Sequence, residues 1–333
     1  MSKRELMDAF TWPVSRAGHA WVQAVPVSGA DLPQRYLIDG SLVIGNTGQE
    51  LAPIEPTFET IGHWSPSETE FVNDAPFKRR PLEESGLFLR FAYLKATEEA
   101  IASFADDYGF LGGPVTVALL IDHGCGSPES GIGEGFANWA AEIDDMHALV
   151  ELWKAGLAGE PEIINRYLQK AMEVWRTSTT AEDLMLRHGI RIRAAGTIQQ
   201  LREAAEISLK AALERKLCGR LSLIFSASST DALVPQPDSL LGALWLQLAQ
   251  AVAKSKQYRQ CESCTKWFEI SPQVARTNRV FCSTACRSRA YRQRQEEARR
   301  LNSQGVPLDQ VARELQSDVE TVIGWIRPKT PPH

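Results

Sequence analysis

Two close pairs of cysteine near the end of the chain restrict its possible folds more than any other feature. In YRQCESCTKWFEISPQVARTNRVFCSTACRSRAYRQRQ, Cys261 and Cys264 form Cys-x2-Cys, seventeen residues intervene, and Cys282 and Cys286 form Cys-x3-Cys. Each pair delivers two thiolates from one turn of backbone, and a loop of this length lets the pairs close on one tetrahedral ion. Zn2+ is the expected occupant. Iron–sulfur ligation uses the same donors, but the neighbouring lysines and arginines and the lack of a third close cysteine favour zinc. Four protein ligands leave no open position, so the site is expected to be structural rather than catalytic. The contrary reading, four reduced cysteines in an ordinary core, gives no reason for ligand spacing to occur twice. Trp267, Phe268 and Phe281 are placed to cover the centre with apolar surface, and Cys282 and Cys286 to open a helix.

This stretch resembles a treble-clef zinc finger and is most similar to the CGNR type of bacterial finger, in which Cys-x2-Cys, an aromatic pair and an Arg-containing loop precede an arginine-rich helix. Cys261, Cys264, Trp267, Phe268, Arg276, Arg279, Phe281, Cys282, Cys286, Arg289 and Tyr291 carry the likeness, with Arg287-Ser288-Arg289 where that family has Gly-Asn-Arg. The resemblance covers only the finger and the start of the next helix. It implies nucleic-acid binding, usually in transcriptional regulation.

Charge divides the chain at the same place. Of the 36 Lys/Arg and 41 Asp/Glu, residues 254–333 hold 15 and 8, a balance of +7, whereas residues 1–253 hold 21 and 33, a balance of −12. From Cys286 to Gly305 the composition favours helix, and six arginines fall within fourteen residues. At about 100° per residue, Arg289, Arg292, Arg299 and Arg300 gather on one side, with Ala290, Tyr291, Ala298 and Leu301 near the other. A basic face of this kind suits phosphate, because the guanidinium fork donates two parallel hydrogen bonds. The expected nucleic-acid contacts are Arg287, Arg289, Arg292, Arg294, Arg299 and Arg300 on this helix, Arg276 and Arg279 in the preceding loop, and Arg327 near the end. DNA is the expected partner, with RNA open. The alternative is a solvated helix with internal ion pairs such as Arg292 to Glu296.

The tail GVPLDQVARELQSDVETVIGWIRPK reads as two short helices, with Leu308, Val311, Ala312 and Leu315 on one face and Val322, Trp325 and Ile326 on the next, separated by an Asp318 N-cap. With the basic helix they resemble the small helix-turn-helix of resolvases and transposases, through Val311-Ala312 and Thr321-Val322 with Trp325. Glu320, Ile323 and Gly324 would stand where a base reader carries Arg, Asn, Gln or Ser.

The acidic part is less specific. HAWVQAVPV and RYLIDGSLVIGN suggest short strands, with Asp39-Gly40 as a turn. Helical periodicity predicts helices from Gly86 to the glycines at 112 and 113, and at about 136–157, 160–187, 195–217 and 239–256. VTVALLI is a strand or a helix start, GRLSLIFSASS a strand, and GIGEGF a flexible loop rather than a dinucleotide fingerprint. Trp139, Trp153, Trp175 and Trp245 are expected as core fillers, and Asp144-Asp145 and Glu182-Asp183 as solvated surface. His123 and Cys125 flank Gly124 without partners at ligand spacing, and no GxSxG, HExxH or phosphate-loop motif occurs, so no catalytic residue is assigned.

The expected fold class is mainly α with a smaller β component (α+β), ending in a treble-clef finger and a helix-turn-helix. The expected divisions are a β-rich or irregular region 1–85, a mainly helical domain 86–253, the finger with its basic helix 254–300, and the tail 301–333. The expected function is zinc-dependent DNA binding and transcriptional regulation, with residues 1–253 as a sensor or assembly domain of unknown ligand. An enzyme or toxin-like effector targeted by the finger, or a protein-interaction adaptor, remains the alternative. No stretch reaches the roughly 20 apolar residues of a membrane helix. The start, MSKRELMDAF, has no apolar core of a signal peptide, so a cytoplasmic setting is expected; a homo-oligomer is open.

Overall fold

Helices make up most of the computed structural model, with a smaller β component, as the periodicity predicts. It describes residues 10–15, 19–26, 34–39, 77–113, 116–121, 129–176, 197–226, 229–270 and 278–327. The chain divides into two compact units, Met1–Ser255 and Lys256–His333.

In chain order the first unit runs β1 (Trp12–Val14), β2 (His19–Pro26), β3 (Gln34–Asp39), β4 (Phe77–Arg79), α1 (Leu87–Ala92), α2 (Glu98–Tyr108), β5 (Thr116–Ile121), β6 (Glu129–Gly135), α3 (Phe136–Ala158), α4 (Pro161–Arg176), α5 (Ile198–Leu217), β7 (Leu221–Ser226), β8 (Ser229–Pro237) and α6 (Leu240–Ala253). β2, β3, β6 and β5 close into a small antiparallel barrel in that order, while β1 pairs with β4 and β7 with β8. Asp39 therefore ends a strand that pairs with β2 and β6, and Gly40 lies outside the described residues.

Two expectations are corrected here. The run ESGIGEG is strand β6, not a flexible loop: a Cβ at Gly133 would stand 2.5 Å from Leu119 Cδ1 and 2.9 Å from Leu37 O. Glycine is needed because neighbouring strands approach closely, which is a packing constraint that looks like flexibility in sequence. The apolar pattern after Gly86 is two helices, α1 and α2. Thr97 takes an extended conformation and its side chain accepts from Ala100 N, capping α2 and ending the continuity that the spacing alone suggests. VTVALLI is β5, and GRLSLIFSASS contains β7.

Beside the barrel, α1, α3, α5 and α6 enclose the core. α6 is apolar on every side and buried from Leu240 to Leu248, as an interior helix must be. Trp139, Trp245, Phe88, Phe91 and Phe104 are its largest buried neighbours and members, and Trp153 is also buried. The Trp175 side chain lies outside the described residues, as do His123, Cys125, Glu182 and Asp183. Gln247 interrupts the apolar run of α6 without an unpaired group: its Oε1 accepts from Phe88 N (3.2 Å) and its Nε2 donates to Pro81 O (2.8 Å) and Glu84 O (3.1 Å). Asp145 is less solvated than expected, since it pairs with Lys216 at 2.8 Å. Lys216 also reaches Glu142 at 2.8 Å, and Glu142 accepts from Trp245 Nε1 at 3.1 Å, so the pair ties α3 to α5 and α6.

Glu134 on β6 is the most enclosed acidic residue among those described in the unit, with no solvent exposure. Its carboxylate accepts from Leu111 N (2.9 Å), Gly112 N (2.6 Å) and Thr116 Oγ1 (2.8 Å), which fixes the turn between α2 and β5 to the barrel. Gly112 has a φ of +74° and packs against the Trp12 ring, a position that suits glycine. Burial pushes the Glu134 carboxyl above its ordinary value, and the two backbone N–H groups and the Thr116 hydroxyl oppose that shift.

The second unit runs β9 (Tyr258–Gln260), β10 (Trp267–Glu269), α7 (Thr284–Ser303), α8 (Leu308–Glu314) and α9 (Val319–Ile326). β9 and β10 form an antiparallel hairpin with Phe268 opposite Arg259. Further along, Ala298 and Leu301 of α7, Val311 and Ala312 of α8, and Val322 and Trp325 of α9 make a separate small core. Gly305 at φ +79° ends α7, and Asp318 caps α9 by accepting from Thr321 N at 2.7 Å. The apolar spacing read from the sequence lies on the inner faces of these three helices.

Candidate metal centre and basic helix

The hairpin turn holds the first cysteine pair. Cys261 N donates to Lys266 O (2.9 Å) and Thr265 N to Cys261 O (2.9 Å), with Thr265 at a φ of +58°. Cys261 and Cys264 thereby lie on one tight turn. The second pair arrives with the segment before α7, which is joined to the turn by Glu262 N donating to Val280 O at 3.2 Å. Ser283 then caps α7, its hydroxyl accepting from Cys286 N at 3.1 Å, so Cys286 occupies the first turn of a helix whose start is fixed by its own sequence.

All four sulfurs lie within 4.8 Å of one another, and Cys282 Sγ is 3.5 Å from both Cys264 Sγ and Cys286 Sγ. A tetrahedral ion with metal–sulfur bonds of about 2.3 Å requires sulfurs about 3.8 Å apart. The donor set and its spacing therefore fit a bound metal ion. Phe268, Ile270 and Phe281 pack around the cysteines. Trp267 is not in this cluster; it lies on the opposite face of β10 from Phe268, because successive strand side chains alternate.

Electrostatics within the group is uneven. Burial pushes the Cys282 thiol up to about 12, and its sulfur neighbours add to this. For Cys261, burial acts in the same direction but is outweighed by N–H donors, chiefly Cys282 N at 3.4 Å from the sulfur, which bring the thiol down to about 6. The same N–H direction suits a thiolate bound to a cation.

The arginines separate into two groups. Arg279 turns inward: Nε donates to Phe281 O (2.6 Å), Nη2 donates to Cys282 O, and the guanidinium lies over the Phe268 ring at 5.3 Å. It holds the second cysteine pair in place, and its own backbone oxygen accepts from Arg259 Nη1 at 3.1 Å. Arg299 donates to Trp325 O (2.9 Å), and Arg300 is held by Glu297 and by Gln304 Oε1 (3.2 Å). Arg292 turns back to Ser288 O rather than pairing with Glu296. Arg287, Arg289, Arg294 and Arg327 are exposed, with no counter-ion among the described residues. Arg276 lies outside the described residues.

Arg259 and the Ser283 cap were not expected from the sequence. Ser283 has a signal there, a serine just before a helical run, whereas Arg259 has none that spacing reveals. Among the described residues, no helix is long and apolar enough to cross a membrane. Compared with protein-family models, curated proteins and solved structures, the chain matches none.

Proposed function

We propose that the protein is a zinc-dependent nucleic-acid-binding protein acting on DNA as a transcriptional regulator. In this reading the second unit is a CGNR-like treble clef followed by a helix-turn-helix. The first unit, acidic and organised around its own core, takes the sensor or assembly role. One observation carries the proposal: a four-thiol centre at the first turn of α7 anchors a helix on which the side chains of Arg287, Arg289 and Arg294 have no partner among the described residues. Cys261, Cys264, Cys282 and Cys286 would hold the zinc, whose contribution is structural: it fixes a hairpin and a helix start that Phe268, Ile270 and Phe281 alone could not hold. The free guanidinium groups then meet phosphates, which position the protein on its target. On α9 the outward residues Glu320 and Gly324 offer little base reading, so the three-helix part supports binding through Arg327 rather than through an inserted reader.

Chelator-sensitive retardation of duplex DNA by the full-length protein tests this. Four phosphate contacts predict a log K against log salt slope of roughly −3 to −4, or about a hundredfold loss between 50 and 200 mM salt. Metal-loaded protein that ignores both DNA and RNA at low ionic strength would refute the proposal and favour the adaptor.

A further inference from the structure

Resting on the nucleic-acid reading above, the geometry points to one stripe of α7, Arg287–Tyr291–Arg294, as a seat for an unpaired nucleotide, with a base stacked on the Tyr291 ring and phosphates on the two arginines. These residues are four and three positions apart and therefore stand one above another on the helix. They span seven residues, about 10 Å along the axis. The stripe is offset from the side on which helical spacing gathers Arg289, Arg292, Arg299 and Arg300, where all but Arg289 are engaged with backbone oxygens or with Glu297. Among the described residues, two of the three α7 arginines whose side chains have no partner thus flank its one aromatic side chain.

Tyr291 is 49% exposed, an uncommon state for a large ring next to a core. It is nonetheless held: its hydroxyl oxygen accepts from Trp325 Nε1 at 2.9 Å, and the rings meet edge to face at 5.7 Å and 84°. Arg299, bonded to Trp325 O, fixes the backbone behind that indole. A ring already ordered in this way loses little freedom when a base stacks on it, and stacking is the largest sequence-tolerant gain such a surface can make. Apart from its two arginines, which the phosphates engage, the stripe has no side chain that addresses base edges. Base faces are available only where bases are unpaired, at a single strand, a loop, a bulge or an extruded nucleotide, whereas a duplex presents its edges. A ring between two cations therefore selects single-stranded over double-stranded nucleic acid.

The test uses the full-length, metal-loaded protein and fluorescence anisotropy with a labelled oligothymidylate and a labelled duplex of equal length, at low salt. The wild type should bind the single strand more tightly than the duplex. Tyr291→Leu, which keeps apolar packing against Trp325 but has no π face, should lose roughly 5- to 150-fold on the single strand and far less on the duplex. Tyr291→Phe should retain most of the affinity. The Arg287→Gln/Arg294→Gln double variant, which leaves the Trp325 contact intact, should weaken both ligands and flatten the salt dependence. If Tyr291→Leu binds the single strand like the wild type while retaining metal and helicity, or if the wild type prefers the duplex, the stacking seat is wrong and the nucleic-acid reading stands. If neither oligonucleotide binds, both fall.

Discussion

Replacing Cys282 by alanine removes the sulfur that stands 3.5 Å from both Cys264 and Cys286 and is central to the candidate metal centre. Structural zinc sites bind with an apparent free energy of roughly 10–16 kcal/mol near neutral pH. Divided over four thiolates of equal standing, each contributes about 2.5–4 kcal/mol, so the loss of one should weaken zinc binding roughly 60- to 700-fold at about 1.4 kcal/mol per decade. The assay is competition between the full-length protein and a chromophoric chelator, with the zinc content of the unchallenged wild type expected at one equivalent. Cys218→Ser serves as the control, because Cys218 is an exposed thiol outside the cluster and its loss should leave affinity unchanged. Wild-type affinity in Cys282→Ala, or equal weakening in Cys218→Ser, would show that the four sulfurs do not share one ion. The affinity should also fall on acidification, since the Cys282 thiol is pushed up to about 12 in the metal-free site and protons must leave as metal enters.

Other expectations concern the two cores. Glu134→Ala leaves Leu111 N and Gly112 N buried without an acceptor and should cost about 2–6 kcal/mol, read from the urea midpoint of the full chain. Burial raises the folded Glu134 value above the ordinary carboxyl 4.5, so its stabilisation is complete below that value and is lost as pH rises through the folded one. The stability of the wild type relative to Glu134→Gln should therefore decline as pH increases from 4.5, and a constant difference would contradict the assignment. Arg279→Lys keeps the charge but loses the fork that reaches Phe281 O and Cys282 O, and should speed metal release to a chelator while changing duplex binding little. Trp325→Ala empties the centre of the three-helix core and should cost roughly 3–5 kcal/mol, seen as a separate early thermal transition.

Much of the second unit was readable from the residues. The cysteine spacing is a local constraint, and both pairs lie on turns whose geometry depends on a few neighbours, so the cluster could be inferred without knowing the rest of the fold. Val311, Ala312, Val322 and Trp325 were placed correctly by helical spacing, because short helices in a small unit bury one side each. The barrel was not readable in the same way. β2 joins β5 through Val25 and Leu120, nearly a hundred residues apart, and nothing local encodes such pairing. Gly133 reads as part of a flexible loop because sequence does not record the Leu119 and Leu37 atoms that exclude a side chain. Helical angle alone does not separate the arginines: Arg299 and Arg300 lie on the polar side with Arg289, but Trp325 O and Glu297 engage them. Whether a cation is free depends on acceptors from other elements, which periodicity does not describe.

The length of α7 has a mechanical consequence. Cys286 occupies its first turn, and Ala298 and Leu301 near its far end belong to the three-helix core. At about 1.5 Å per residue the helix is a rod of roughly 30 Å that both clusters share. Each cluster therefore shortens the fraying available to the other, and removing a bound ion from one end should raise amide exchange progressively toward the other, with Trp325 sensing the event through its bond to Tyr291, about one and a half turns beyond Cys286.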